Sequence, residues 1–216
     1  TPLQYSYLSS KTMFRTTIAT ILFAASGVQA DYLMVRSYVE KNCSGSIKYQ
    51  MSTAVDLCQR NSYQPGTYRI ECSDDNTVCT TEAYSTSDCS GTSETTKKYD
   101  ASGQCVDPST GMFATFKIVA DDDAKQGFST PLLSQWQDEN CEGTAVEFID
   151  EGICHGEGQN SYRAACVNGT VQSCQWHESA DCSGDHSLCV PTPGTAVGSC
   201  KARGMLGGKA SVQYSC

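Results

Sequence analysis

Short β-prone runs separated by turn residues make up nearly all of the chain after residue 31. They read YLMVRSYV from Tyr32, SIKYQM from Ser46, TYRI from Thr67, FATFKIVA from Phe113, AVEFI from Ala145 and SVQY from Ser211. No stretch keeps a three- or four-residue apolar period over 12 residues, so a long amphipathic helix is not expected. STAVDLCQ, from Ser52, is expected to form at most a helical turn or two. Strands of this length, punctuated this often, predict an all-β fold with about five to six strands per repeated unit.

The repeat is visible in the same pattern. Residues 162 to 184, YRAACVNGTVQSCQWHESADCSG, match residues 68 to 91, YRIECSDDNTVCTTEAYSTSDCSG. Each reads as a strand, a tight turn and a second strand, running into an aromatic residue, a polar run, Asp-Cys and Ser-Gly. Asn168-Gly169 is a strong hairpin signal, because both residues tolerate the positive φ of a type I′ turn, and Asp75-Asn76 is a weaker one. Cys43, Cys58, Cys72, Cys79, Cys89 and Cys105 correspond to Cys141, Cys154, Cys166, Cys174, Cys182 and Cys200, at offsets between 93 and 98. Drift of that size is what small loop insertions in a duplicated domain produce. Two tandem, disulfide-rich β domains, sandwich- or meander-like, are therefore expected at residues 31–120 and 132–216. DDDAKQGFSTP, residues 121–131, has the composition of an exposed linker between them.

A smaller motif occurs twice in each half: YVEKNC from Tyr38, YSTSDC from Tyr84, WQDENC from Trp136 and WHESADC from Trp176. In each, the cysteine follows Asn or Asp and precedes, by two places, Gly45, Gly91, Gly143 or Gly184. An aromatic suits a packed strand position, Asn or Asp a turn, and glycine a backbone reversal. The next cysteine in each case, Cys58, Cys105, Cys154 or Cys200, has a glycine two places before it except at Cys58.

The segment 13–30 has the layout of a secretory signal peptide. Arg15 precedes an apolar run through Ile18, Ile21, Leu22 and Phe23, and Val28-Gln29-Ala30 offers a cleavage site after Ala30. Residues 1–12 then read as translated upstream sequence. No second apolar segment follows, so no transmembrane segment is expected after cleavage. All 14 cysteines lie beyond residue 30, and an even number in an oxidising compartment implies seven bridges. Cys189 and Cys216 have no counterpart in the first half and are expected to pair with each other. Equivalent pairing is expected in the two halves, with no bridge between them; six cysteines allow fifteen connectivities, and spacing does not choose among them. No CxxC spacing is present, which disfavours zinc. No metal or cofactor is expected.

The net charge is −9, and the chain beyond residue 30 carries 13 basic against 24 acidic residues. Such a balance excludes nucleic acid and anionic membranes as partners. No GxSxG, HExxH or P-loop pattern occurs, and no catalytic residue is assigned. His155, His177 and His186 lie in the second half with no counterparts in the first, which reads as surface histidine rather than a shared site. Cys154, beside His155, reads as a half-cystine rather than a nucleophile. Glu147, Asp150 and Glu151 leave a carboxylate pair open. Asp121-Asp122-Asp123 lacks the alternating spacing of a calcium loop and reads as solvated linker open to proteolysis. Tyr38, Tyr84, Trp136 and Trp176 read as four copies of one packing position rather than a sugar-stacking platform. Asn168 and Asn42 fit the N-glycosylation pattern.

The aromatic, polar run and Asn- or Asp-Cys-x-Gly, preceded by a cysteine-bearing hairpin, resembles the cysteine-rich tandem-repeat secreted or surface proteins of amoebae and other single-celled eukaryotes. The resemblance covers nearly all of residues 32–216. It implies an extracellular protein and brings no catalytic residues with it; Cys58 departs from the pattern by lacking its glycine. The function expected is that of a secreted or cell-surface, non-enzymatic binding or structural protein whose partner is an extracellular protein or a carbohydrate. A secreted inhibitor or effector acting on an external enzyme is the alternative, followed by a carboxylate-based hydrolase.

Overall fold

A computed structural model of the protein describes residues 31–60, 66–107, 113–205 and 208–216. The segments read as upstream sequence (1–12) and leader (13–30) lie outside the described residues. Within them the chain is all-β. In the first half β1 (Tyr32–Tyr38) and β2 (Ile47–Ala54) form a hairpin. A meander follows, of β3 (Gln59–Arg60), β4 (Thr67–Cys72), β5 (Val78–Tyr84) and β6 (Glu94–Asp100). Then β7 (Ser102–Val106) and β8 (Phe113–Val119) return, and β8 pairs with β1. The second half uses the same order: a hairpin of β9 (Leu132–Trp136) and β10 (Glu147–Asp150), and a meander of β11 (His155–Glu157), β12 (Asn160–Val167), β13 (Thr170–Trp176) and β14 (Leu188–Ala196). It closes with β15 (Lys201–Met205) and β16 (Gly208–Ser215), and β16 pairs with β9.

Among the described residues each half thus has eight strands rather than five or six. The additional ones, such as β6 (ETTKKYD) and β7 (SGQCV), lack an apolar alternation and are held by backbone pairing with better-patterned neighbours. The Ser52–Gln59 segment forms no helix. It ends β2, turns at Asp56 with φ 58°, and enters β3.

The strands form three antiparallel sheets. The meanders make two four-stranded sheets, β3-β4-β5-β6 and β11-β12-β13-β14, and the remaining strands make one eight-stranded sheet ordered β15-β16-β9-β10-β2-β1-β8-β7. Its middle is the pairing of β2 with β10, with Thr53 opposite Glu147, Ser52 opposite Phe148 and Met51 opposite Ile149. The two halves thus share one sheet, and residues 121–131 connect β8 to β9.

Both faces of that sheet are covered near its middle, so alternation breaks down there: Tyr32, Leu33 and Met34 are successive and all buried. Leu33, Val55, Ala114 and Phe116 pack with Ile70 and Cys79 of the first small sheet. On the other face Tyr32, Ala54, Leu132, Ala145 and Phe148 form a core drawn from both halves, with Ala124 of the connection. Within it the Tyr32 hydroxyl donates to the Ala145 carbonyl at 2.6 Å, and its ring lies 5.3 Å from that of Phe148.

The connection 121–131 corrects the expectation of a free linker. Most of its residues are exposed, yet Ala124 and Pro131 are fully buried and Phe128 packs against the shared core. Its carbonyls accept hydrogen bonds from the sheet: Ser52 Oγ donates to Ala124 O at 2.7 Å, Arg36 Nη2 to Gln126 O at 2.8 Å and Gln50 Nε2 to the same oxygen at 3.3 Å. Lys125 Nζ sits 4.5 Å from the Phe148 ring centre. The segment is a strap across the joint, and its backbone acceptors are invisible to a reading of side-chain composition.

Because both halves contribute to one core, thermal unfolding is expected as a single transition. Phe148→Ala, at a side chain 3% exposed, is expected to cost about 3–5 kcal/mol and to lower that transition as a whole. Two separate transitions in calorimetry, only one of them moved by the substitution, would contradict the shared core.

Candidate functional site

The four Asn- or Asp-Cys-x-Gly motifs are four copies of one turn. Cys43, Cys89, Cys141 and Cys182 have φ of 52°, 54°, 57° and 55°, and Gly45, Gly91, Gly143 and Gly184 have φ of 79°, 88°, 71° and 75°. A cysteine pays a steric cost in this left-handed region, so something must hold it. Part of the hold is an acidic or amide side chain: Asn42 Oδ1 accepts from Ser44 N, Asp88 Oδ1 from Ser90 N, Asp181 Oδ1 from Ser183 N, and Asp138 Oδ1 from both Asn140 N and Glu142 N. A second part is a buried strand hydroxyl that accepts the cysteine N–H, Thr67 for Cys89, Ser211 for Cys141 and Ser161 for Cys182. The aromatic residue completes the turn in the second half, where Trp136 and Trp176 donate Nε1–H to the carbonyls of Gly143 and Gly184 at 3.3 and 3.0 Å.

Seven disulfides join the 14 cysteines. Two pairings match between halves: Cys43–Cys105 with Cys141–Cys200, and Cys58–Cys89 with Cys154–Cys182. The rest do not. Cys72 pairs with Cys79 across β4 and β5, but Cys166 pairs with Cys216, and Cys174 with Cys189 across β13 and β14. The expected Cys189–Cys216 bridge is therefore corrected, as is full equivalence of the halves. The reason is register. Cys72 lies opposite Cys79, whereas Cys166 lies opposite Val171, because the Asn168-Gly169 hairpin is two residues shorter. Cys174 lies three residues beyond Val171, an odd step along the strand, so it points to the face opposite that of Cys79, and its rung partner is Cys189.

The same change of face leaves the small sheets packed differently. Tyr68 packs into the first-half core, while its counterpart Tyr162 is 46% exposed, on one face with Leu188 and Val190. Inward instead turn Cys174 and Trp176, which cluster with Cys182.

The three histidines do not converge. His155 stacks on Tyr162 with ring centres 5.2 Å apart, His186 meets Trp176 edge-on at 6.0 Å, and His177 is exposed. Cys154 is bonded to Cys182 and has no thiol. Strand alternation sets Glu147 and Asp150 on opposite faces of β10. Asp121–Asp123 forms a single 3₁₀ turn, and no group of three His, Cys, Asp or Glu side chains is arranged to hold a metal among the described residues. Trp176 is buried, while Tyr38, Tyr84 and Trp136 are half-buried; Arg69 over Tyr84 and Arg163 over Trp176 repeat one cation–π contact in both halves. Asn168, with φ 49°, and Asn42 are both exposed.

What sequence reading missed is a cleft of about 400 Å³ where the halves and the strap meet. Its walls include Lys48 and Gln50 of β2, Ser129 of the strap, and Asp150, Ile153 and Asp181 of the second half. Asp150 is buried; its Oδ2 accepts from Ser129 N at 2.8 Å and its Oδ1 from Gly152 N at 3.0 Å. Burial lifts its carboxyl above the ordinary range, against the pull of those bonds. Lys48 lies near enough to His155 to lower its basicity, after burial, which is the larger cause. The sequence signal was a Lys and a Gln two apart in SIKYQM, on one face of an otherwise β-prone strand.

Compared with known proteins, residues 10–205 match the model of a family described as counting factor-associated protein A/B/C. No curated protein and no solved structure matches. No helix among the described residues is long and apolar enough to cross a membrane.

Two outcomes are expected from these turns. Peptide mapping without reduction should recover Cys166 joined to Cys216 and Cys174 to Cys189; a Cys189–Cys216 peptide would refute the register argument. Asp88, Asp138 and Asp181 are held below the ordinary carboxylate value by the hydrogen bonds of their turns, chiefly from Ser90, Asn140 and Ser183. A folded value below the unfolded one means the stability is full above the unfolded value and is lost as pH falls through the folded one. The melting temperature should accordingly drop below about pH 4. A triple Asp88→Asn, Asp138→Asn, Asp181→Asn variant keeps the acceptors without the charge and should show a shallower acid limb; an unchanged limb would remove these turns from the explanation.

Proposed function

The chain belongs to the counting factor-associated protein A/B/C family, and from that premise we propose that it is a secreted, non-enzymatic protein that works by binding within an extracellular assembly. The observation that carries this reading is the disulfide framework: all 14 cysteines are bonded and none is free, and bridges of this number persist only in an oxidising compartment. The signal-peptide layout of residues 13–30 supports the same compartment. The family's description ties its members to a counting factor, and association of this chain with such a factor is the corresponding proposal. The non-enzymatic part rests on how the polar groups are used. The Asx side chains and buried hydroxyls of the four turns hold backbone and cysteine, and the histidines stand apart from one another.

Asn168 is proposed to carry an N-linked glycan. It is exposed at the tip of the β12–β13 hairpin. Asn42 is exposed as well but is engaged in a turn through its Oδ1.

Expression of the tagged full chain in a eukaryotic host that secretes the family, followed by sizing of the conditioned medium, tests the reading. The protein should appear in the medium, co-eluting with counting factor above its monomer size, and Asn168→Gln should lose the mass of one glycan. Retention inside the cell would end the secreted reading, and elution as a monomer beside an intact factor complex would end the association.

A further inference from the structure

The cleft at the joint has groups whose unmet needs point to one class of ligand. Gln50 is fully buried, and its Nε2 donates to the Gln126 carbonyl. That bond fixes the amide, because turning it over would set two oxygens against each other, and Oε1 is left with no donor among the described residues. Arg36 is the rung partner of Gln50 on β1, and so shares its face. Its Nη2 also donates to Gln126 O, and its buried Nε has no acceptor among the described residues. Buried polar groups are nearly always paired in a finished structure. Gln50, unlike Arg36, lines the cleft, whose wall adds the Lys48 ammonium, the Asp150 carboxylate with one backbone N–H on each oxygen, and the apolar side chain of Ile153.

We propose that this cleft binds a neutral carbohydrate, a mono- or disaccharide unit of a glycan; the proposal rests on the reading of the protein as an extracellular binding protein. A hydroxyl both donates and accepts, so one such group can donate to Gln50 Oε1, and others can donate to Asp150 and accept from Lys48. An anionic ligand would meet the carboxylates of Asp150 and Asp181. An apolar one would leave Gln50 Oε1 and Lys48 unpaired. The volume of about 400 Å³ lies in the range of small-molecule sites, and Ile153 gives the C–H face of a sugar ring a surface to cover. The site exists only where the halves and the strap meet, since Lys48 and Gln50 come from the first half, Ser129 from the strap and Asp150 from the second.

The test is calorimetry and saturation-transfer NMR on the secreted full chain, using glucose, galactose, mannose, N-acetylglucosamine and their disaccharides as probes. At least one should bind, and Gln50→Met, which keeps volume and removes the acceptor, should weaken it about tenfold. Lys48→Ala, on a half-buried side chain that makes no core contact, should weaken the same sugar several-fold without changing the melting temperature, so the result does not hang on the folding of the Gln50 variant. Absence of binding by every probe to folded protein would overturn the proposal. So would binding that survives both substitutions but is lost in Tyr162→Ala, which would move the sugar to the exposed His155–Tyr162 face. A protein found in its extracellular complex but blind to all the sugars defeats this inference alone; a protein kept inside the cell defeats the reading beneath it.

Discussion

Antiparallel pairing of β2 with β10 is the contact on which the architecture depends. Each half alone would be a four-stranded sheet with a patterned edge, β2 or β10, open to pairing, a hazard that natural sheets avoid. Joining those two edges removes both at once and leaves the outside of the eight-stranded sheet to β7 and β15, which are five residues each. It also sets Phe148 opposite Ser52, so that the Tyr32, Ala54 and Phe148 core has to be built from both halves. The strap then follows necessarily: a chain leaving β8 for β9 must cross this face, and its carbonyls meet Arg36, Gln50 and Ser52 on the way.

Away from the joint, covalent cross-links take over the work of packing. Among the described residues the apolar clusters are small, of six, seven and three buried residues, and domains of this size are marginal on core alone. The turn cysteines show how a bridge and a local conformation support each other. A left-handed cysteine is disfavoured in isolation, and the Asx hydrogen bond, the strand hydroxyl and the disulfide all constrain the same residue. Three of the four turns have the hydroxyl, which explains why Thr67, Ser161 and Ser211, polar residues with almost no exposure, sit in the interior: each receives a cysteine N–H, whereas that of Cys43 goes to the Glu40 carbonyl.

Much of this was legible beforehand, and the failures have particular causes. Asn168-Gly169 declared its hairpin, and the Asn- or Asp-Cys-x-Gly spacing declared its turns, because both signals are local demands on φ. Cysteine offsets misled at Cys174: Cys166 and Cys174 are eight residues apart where Cys72 and Cys79 are seven apart, and one residue more turns a side chain to the other face of its strand. The strands β6 and β7 were missed because their places are set by neighbours, not by their own pattern. The joint itself was out of reach, since nothing in SIKYQM or AVEFI says that each would choose the other as its edge partner. The cleft was hidden for the same reason, being made where those two segments meet.

The nested bridges have a mechanical consequence. Under tension between Asp31 and Cys216, the shortest covalent path runs to Cys43, jumps to Cys105, continues to Cys141, jumps to Cys200 and so reaches the end. Roughly a third of the backbone lies on that path, so a pulled molecule stops lengthening at roughly a third of the reach of an uncrosslinked chain. Both meanders hang inside closed loops and bear no load. The protein is therefore a tether of limited reach, whose longest stretchable part runs through β8, the strap and β9.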